Sequence, residues 1–542
     1  MPSTTPILTL NTEMHTAMIR HISTDRRGRY LLACSRDKTA KLWELASGEL
    51  LRTFRPPVGE AQEGMLYACA LSPDGQTVAV GGWSAKNDIY IFDATSGLLQ
   101  HRITGLPNVI FSLEYSPDGR FLAAALGGKN GIRIYNSHDY TQQAGDTDYG
   151  ADSYNLAFDA WGRLATVCWD GHVRLYDNDF KLIKKAATKA GKMPFSIAFS
   201  PDTHLLAVGF EDSPIIQVLD AKTMGVLYEP DIEGVNDNGG MDILSFSADG
   251  ARLAAGGAYQ QNKEGKWWRQ IRIWEKAGKG SWTDYNAGGN TIMDIKPLPH
   301  GGFVFGGAKP DWGIIDPDEG RRSLYRKGEV NEYRSKDRSH FRLGPGGTEV
   351  GVTPSNQSPL MFSIQGRQLS KTASRHPAAS SEQGSLKVED WKNQYSPKLN
   401  GKPLSFLDEY ERCRSVDIAT GGQGIAVGTE WKVRCTDAGG RLRWTQPVQG
   451  GAFCVKIDAY NEVVAAALDD GTIRWFRFLD GQPLLSLYLH PDDERWVLWT
   501  PSGYYDAAPG AENLIGWHVN NGEDKEASYY PISKFRQTYH RP

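Results

Sequence analysis

The side chains best placed to do chemistry near the start of the chain are His15, Asp37 and Trp43, an imidazole, a carboxylate and an indole in quick succession. A histidine held by a carboxylate is the base half of a nucleophilic triad, but no Gly-x-Ser-x-Gly elbow is present to supply the nucleophile. The six cysteines, Cys34, Cys69, Cys168, Cys413, Cys435 and Cys454, are scattered, with no CxxC pair and no histidine at metal spacing. Carboxylates cluster in GDTDYGADS (145–153) and PDDER (491–495), enough oxygens for Ca²⁺ but without EF-hand loop spacing. No phosphate-binding or dinucleotide glycine pattern occurs. The expectation is therefore a protein without catalytic residues, cofactor or metal, in which His15, Asp37 and Trp43 form a hydrogen-bonded structural brace. An enzyme that draws one residue from each of several repeats would leave no local motif, and that is the alternative.

The elements that must position these residues recur. Taking the last core residue of each third strand as an anchor gives Trp43, Phe92, Tyr135, Tyr176, Leu219, Trp274, Ile315, Phe362, Cys435, Phe476 and Trp517, and six of the ten intervals are 41 or 43 residues. That is the length of one four-stranded blade. A second marker keeps the same period: the turns SPDG (72–75), SPDG (116–119), DAWG (159–162), SPDT (200–203) and SADG (247–250), where Pro presets φ and Gly accepts the left-handed geometry that closes a hairpin. One interval is stretched by an insertion, QQNKEGKWWRQ, before Trp274.

The first repeat, with His15, Asp37 and Trp43 at the expected positions and Glu44 in place of the usual Asp, resembles one WD repeat. The fold class implied is all-β, a β-propeller of four-stranded WD-type blades. Two tandem propellers are expected: a seven-bladed ring over 1–325 and a second, degenerate one over 326–542, with a polar, linker-like stretch near 370–404 that is either a linker or a degenerate blade. A single ring of ten or more blades is the alternative. Ring closure demands a paired edge, and ILTL at 7–10 is the candidate closing strand. The stretches DWKNQYSPKLNGKPL (390–404), SVDI with VGTEWKVRCTDAGG (415–440), 469–520 and YYPISKFRQTYHRP (529–542) closely resemble a family of bacterial WD-repeat proteins whose longer members continue into a caspase-like peptidase or another effector domain. The resemblance implies an architecture and a class of partner, a caspase-like protease or effector on another polypeptide, and no catalytic residue here.

Partner contacts are expected where large rigid side chains fall in turns. Trp83, Trp169, Trp267 and Trp268 with Arg269, Trp312 and Trp431 all sit in or beside second-to-third-strand hairpins, which open on one face of a propeller. Residues 321–342 carry a run of basic side chains, Arg321, Arg322, Arg326, Lys327, Arg334, Lys336, Arg338 and Arg342, expected as a loop patch able to meet an acidic surface or a phosphate backbone. Nucleic acid is nonetheless the minor reading, because the net charge is −4 and the pI about 6.3. No apolar run approaches a membrane span and the N-terminus lacks a secretory pattern, so a cytoplasmic protein scaffold is the overall expectation.

Overall fold

The computed structural model describes residues 1–541 except 236, 237, 335–339, 356, 409 and 410. The chain is an all-β protein made of many four-stranded antiparallel sheets of the WD blade type. The turn chemistry explains why. In SPDG the Ser72 hydroxyl donates to Asp74 Oδ1 (2.6 Å) and accepts the Thr77 N–H (2.9 Å), while Gly75 takes φ +78°. Ser116, Ser200 and Ser247 repeat this arrangement, and Asp25, Asp159 and Asp458 replace it with a carboxylate that accepts the same backbone N–H groups. Each turn fixes the register of the hairpin it closes.

Seven sheets follow in chain order, with innermost strands Ile19–Thr24, Leu66–Leu71, Ile110–Tyr115, Asn155–Phe158, Pro194–Phe199, Ile243–Phe246 and Ile292–Pro297. Each innermost strand neighbours the next, and Ile292–Pro297 neighbours Ile19–Thr24, so this circuit returns to its start. All four strands of the first blade come from the continuous stretch Ile19–Phe54, so no strand exchange closes this circuit. Polar rivets between adjacent inner strands help to join the blades: His21 Nδ1 donates to Cys69 O (3.1 Å), Asn155 Oδ1 accepts Ile197 N–H (3.1 Å), and at the closure Asp294 Oδ2 accepts Ile22 N–H (2.9 Å). Apolar clusters fill the space between successive blades, with Leu32, Phe54, Val78 and Phe92 between the first and second.

Beyond residue 326 the sheets are less regular. Inner strands Cys413–Ile418, Ala452–Ile457 and Phe341–Leu343 are neighbours in that order. The polar stretch expected as a linker divides in two. Residues 371–381 return along Phe341–Leu343, with Arg342 Nη1 donating to His376 O (2.5 Å), and reach Asp417, whose carboxylate accepts Ser380 N–H (2.7 Å). Residues 382–403 form a small four-stranded sheet packed through Val388 and Leu399 on Ile418, Ile425 and Val427. The sheet that starts at Ala452 runs on to six strands, ending at Tyr505–Ala507.

Ile7–Leu10, which a boundary at 325 places with the first seven repeats, pairs antiparallel with Ile515–Val519 instead, from Ile7 opposite His518 to Leu10 opposite Ile515. The N-terminal strand thus belongs to the last sheet of the chain. In return, residues 520–527 reach back to the first blades: Asn520 Oδ1 accepts Val58 N–H, Lys86 pairs with Glu523 and Arg102 with Asp524. The two ends of the chain lock the halves together.

Candidate interaction surfaces and the channel

In the first blade His15 Nδ1 lies 2.8 Å from Asp37 Oδ2, and Asp37 also accepts Thr16 N–H, Thr39 N–H and the Thr39 hydroxyl. Burial alone would raise this carboxyl, but the attraction and hydrogen bond of His15, with Lys41 and Thr39 adding to them, hold it below the usual carboxylate range. The brace differs from expectation in one member. Trp43 meets His15 by ring contact, centroids 5.5 Å apart, while its indole Nε1 has no hydrogen-bond partner among the described residues. Its role is packing.

Three other blades carry a buried arginine on the third strand, each paired with an acid. Arg174 pairs with Asp170 (2.6 Å) beneath Tyr149, Arg272 bonds both oxygens of Asp284 and stacks on Trp282, and Arg434 pairs with Glu411 (2.5 Å). The clustered carboxylates behave likewise: Asp146 accepts the Tyr176 hydroxyl, Asp148 pairs with Lys185, and Asp492 with Arg495. These groups meet protein donors.

The channel residues escape a motif search. In five of the first seven inner strands the register skips one residue, a β-bulge, and the skipped side chains are Arg20, Tyr67, Phe111, Phe195 and Met293. With Tyr154, just ahead of the fourth inner strand, they line a cavity of about 220 Å³. The rings form a staircase around it: Phe111 and Tyr154 centroids are 4.5 Å apart, Tyr154 and Phe195 5.0 Å, and Trp169 joins against Tyr154 at 4.4 Å. Arg20 closes one end over Tyr67. Below them lie His21, Glu114, Asp294 and Lys296. Burial pushes the His21 imidazole down to about 4 against the pull of Asp294, and raises the Glu114 carboxyl to about 7 despite Lys296. A dispersed set of titratable groups is therefore present in the channel, although no nucleophile is paired with a base there.

The second half lies over part of the hairpin face. Arg36 approaches Glu430 (3.7 Å), Asn290 Nδ2 donates to Glu332 (2.9 Å) and Arg334 donates to Ala308 O (2.9 Å). The bulge residues of the second half, Arg414 and Phe453, face this interface, with Arg414 on Glu430 and both Arg414 and Arg334 over the Phe453 ring. Burial raises Asp469, in the field of Arg36 and Arg334, to about 6.

This geometry sorts the tryptophans. Trp312 is fully buried, 5.8 Å from Trp43, and Trp431 is buried, so neither presents a ring to a partner. Trp169 belongs to the aromatic staircase, and Trp83 is half-buried with its backbone bonded to Met65 and Gly64. The insertion is a hairpin, Gln260–Lys263 against the start of Lys266–Glu275, which extends the sixth blade. Alternation separates its two indoles: Trp267 is 47 % exposed, whereas Trp268 is half-buried, with Arg322 over its ring at 5.5 Å. Arg269 Nη1 turns inward to Ala258 O.

The basic segment is no loop patch. Residues Arg321–Arg326 form the outer strand of the seventh blade. Arg321 pairs with Glu319, Arg322 stacks on Tyr325, Arg326 pairs with Glu13 and Arg334 with Glu332. Lys327 is exposed, Arg342 is bonded to His376 in another sheet, and Lys336 and Arg338 lie outside the described residues. Mostly partnered and spread over different elements, the described members make no continuous stripe. No helix among the described residues is long and apolar enough to cross a membrane.

Comparison with known proteins agrees with the blades. The chain is 26% identical over 122 residues to a pre-mRNA-processing factor 19 of Dictyostelium discoideum, covering 22% of each. It is 28% identical over 108 residues to an uncharacterized WD repeat-containing protein of Synechocystis sp., covering 20% of this chain and 29% of the other. The chain thus spans less than a third of the length of these curated relatives. Residues 5–44, which hold His15, Asp37 and Trp43, match the family model described as WD domain, G-beta repeat.

Proposed function

We propose that the protein is an interaction platform that holds a partner protein and does no chemistry of its own. The observation that carries this reading is Trp267, a large rigid indole exposed on a hairpin that the repeat does not need, between Lys263, Lys266 and the blade. The WD-repeat relatives support a binding role, and the resemblance of the C-terminal third makes a caspase-like protease or similar effector the first partner to test. The proposed units are the seven blades through residue 326, and the remainder together with the N-terminal strand. The channel groups His21, Glu114, Asp294 and Lys296 favour a second reading, a propeller enzyme with a dispersed site.

Because Trp268 is packed under Arg322, Trp267→Ala is the discriminating variant. It should leave the unfolding midpoint nearly unchanged and weaken capture of the native partner by roughly 2 kcal/mol or more. Trp268→Ala should instead lower the midpoint. Unchanged capture by Trp267→Ala would remove the hairpin from the interface, and turnover of a substrate abolished by Glu114→Gln would favour the enzyme.

A further inference from the structure

The channel has a second mouth, on the face where the first-to-second-strand turns lie, opposite the insertion hairpin. It encloses about 720 Å³, and all the residues lining it belong to the first seven blades. The second residues of successive turns, Pro73, Pro117, Ala160, Pro201 and Ala248, give the rim an apolar wall beside the charged Arg26, Asp118 and Asp159, and Leu71, Leu113 and Phe158 continue that wall inward. Three of those rim residues are prolines, whose fixed φ keeps the opening in shape. Beside Ala160 stands Trp161, 64 % exposed, with Arg163 on its ring.

The floor of this funnel is charged and not neutral. Lys296 Nζ lies 3.7 Å from Asp294 Oδ1, and Asp294 Oδ2 lies 3.5 Å from His21 Nε2. His21 gives its Nδ1 hydrogen to Cys69 O, which leaves Nε2 as an acceptor with no hydrogen-bond donor. Glu114 lines the same floor, and among the described residues no cation stands within ion-pairing distance of it. Two carboxylates and one ammonium share the floor with an imidazole lone pair. A positive charge entering from below would complete the set.

We propose that this lower mouth receives a lysine or arginine side chain of a partner protein, its aliphatic stem against the proline-rimmed wall and its cationic head at Glu114. Apolar stem and charged head match the sequence of surfaces from rim to floor, as long basic side chains do elsewhere. The site is separate from the insertion hairpin and stands or falls independently of it.

The charged and titratable groups around Glu114 in this mouth are Lys296 from the seventh blade with Asp294 beside it, His21 and Arg26 from the first, Tyr115 and Asp118 from the third and Asp159 from the fourth. Since burial raises Glu114 to about 7, its negative charge is complete only above that pH, and cation binding should weaken as pH falls through 7. The test titrates the full chain with a fluorescent Ala-Ala-Lys-Ala-Ala peptide and with the same peptide carrying norleucine for lysine. The expected result is saturable binding of the lysine peptide, at least fivefold weaker with norleucine and in Glu114→Gln, unchanged in Trp267→Ala, and weaker at pH 6 than at pH 8. A melting curve of Glu114→Gln matching wild type shows that the fold is retained, and Trp161→Ala, on the surface, should also weaken binding. Equal binding of both peptides, or no binding of either, overturns the proposal. So does displacement by n-butylammonium at the peptide's own affinity, which would make the mouth a site for a free amine.

Discussion

Removing residues 1–10 should unfold the last sheet of the chain while the first seven blades persist. Ile7–Leu10 supplies one of the three strands of that sheet, and the remaining pair, Ile515–Val519 with Ser528–Pro531, would be a bare hairpin, which is marginal in water. Leu8 and Leu10 pack against the core that contains Trp499 and Ile515, and Ser3 O accepts a hydrogen bond from Asn520. Loss of two half-buried leucines and of the ladder should cost about 3 kcal/mol. Hydrogen exchange should therefore rise sharply over 496–531 and little over 66–297. Uniform exchange across the chain would show that the halves unfold as one cooperative unit.

The other large effect is expected from Asp284→Ala. Its carboxylate accepts from Arg272 at 2.8 and 2.9 Å, from the Tyr259 hydroxyl at 2.7 Å and from Gln261 at 2.8 Å, and Arg272 is fully buried. Truncation leaves a buried guanidinium without its counter-charge, and about 3–5 kcal/mol should be lost in urea unfolding. Replacing both partners, Arg272→Leu with Asp284→Leu, should recover most of that loss, since the desolvated charge disappears with the acid. A small effect of Asp284→Ala would mean that water reaches Arg272.

The blades are legible in the sequence because the turn itself carries the code: a serine or aspartate whose side chain accepts the backbone N–H four or five residues later, then a glycine or a polar residue with positive φ. His15 and Asp37 are legible for the same reason, as local partners in one blade. The channel wall has a signal as well, but one that needs the turns first. Arg20, Tyr67, Phe111, Tyr154, Phe195 and Met293 each lie five residues before the first residue of a turn, as do Arg414 and Phe453 in the second half. In five of the first seven blades and in both of these second-half strands that offset is the bulge position, and no single blade reveals it.

What sequence cannot supply is the pairing of distant ends. Nothing local in Ile7–Leu10 distinguishes a partner at residue 515 from one at residue 326, because any open apolar edge would satisfy its ladder. The tryptophans fail for a related reason. A turn position predicts exposure only when no neighbouring blade covers it, and Trp312 is covered by Trp43 of the first blade while Trp431 is buried. The basic run misleads because Arg321, Arg326 and Arg334 each meet an acid and Arg322 an aromatic face, so these charges are not free in a loop.

If the hairpin bearing Trp267 meets the partner, amine-reactive cross-linking of the captured complex will join the two there. Lys263 and Lys266 flank the turn of that hairpin and are both exposed. The account predicts cross-links from these two lysines to the partner, lost together with capture in Trp267→Ala. Partner cross-links confined to the second half, with Lys263 and Lys266 reacting as freely in the complex as in the isolated chain, would contradict it.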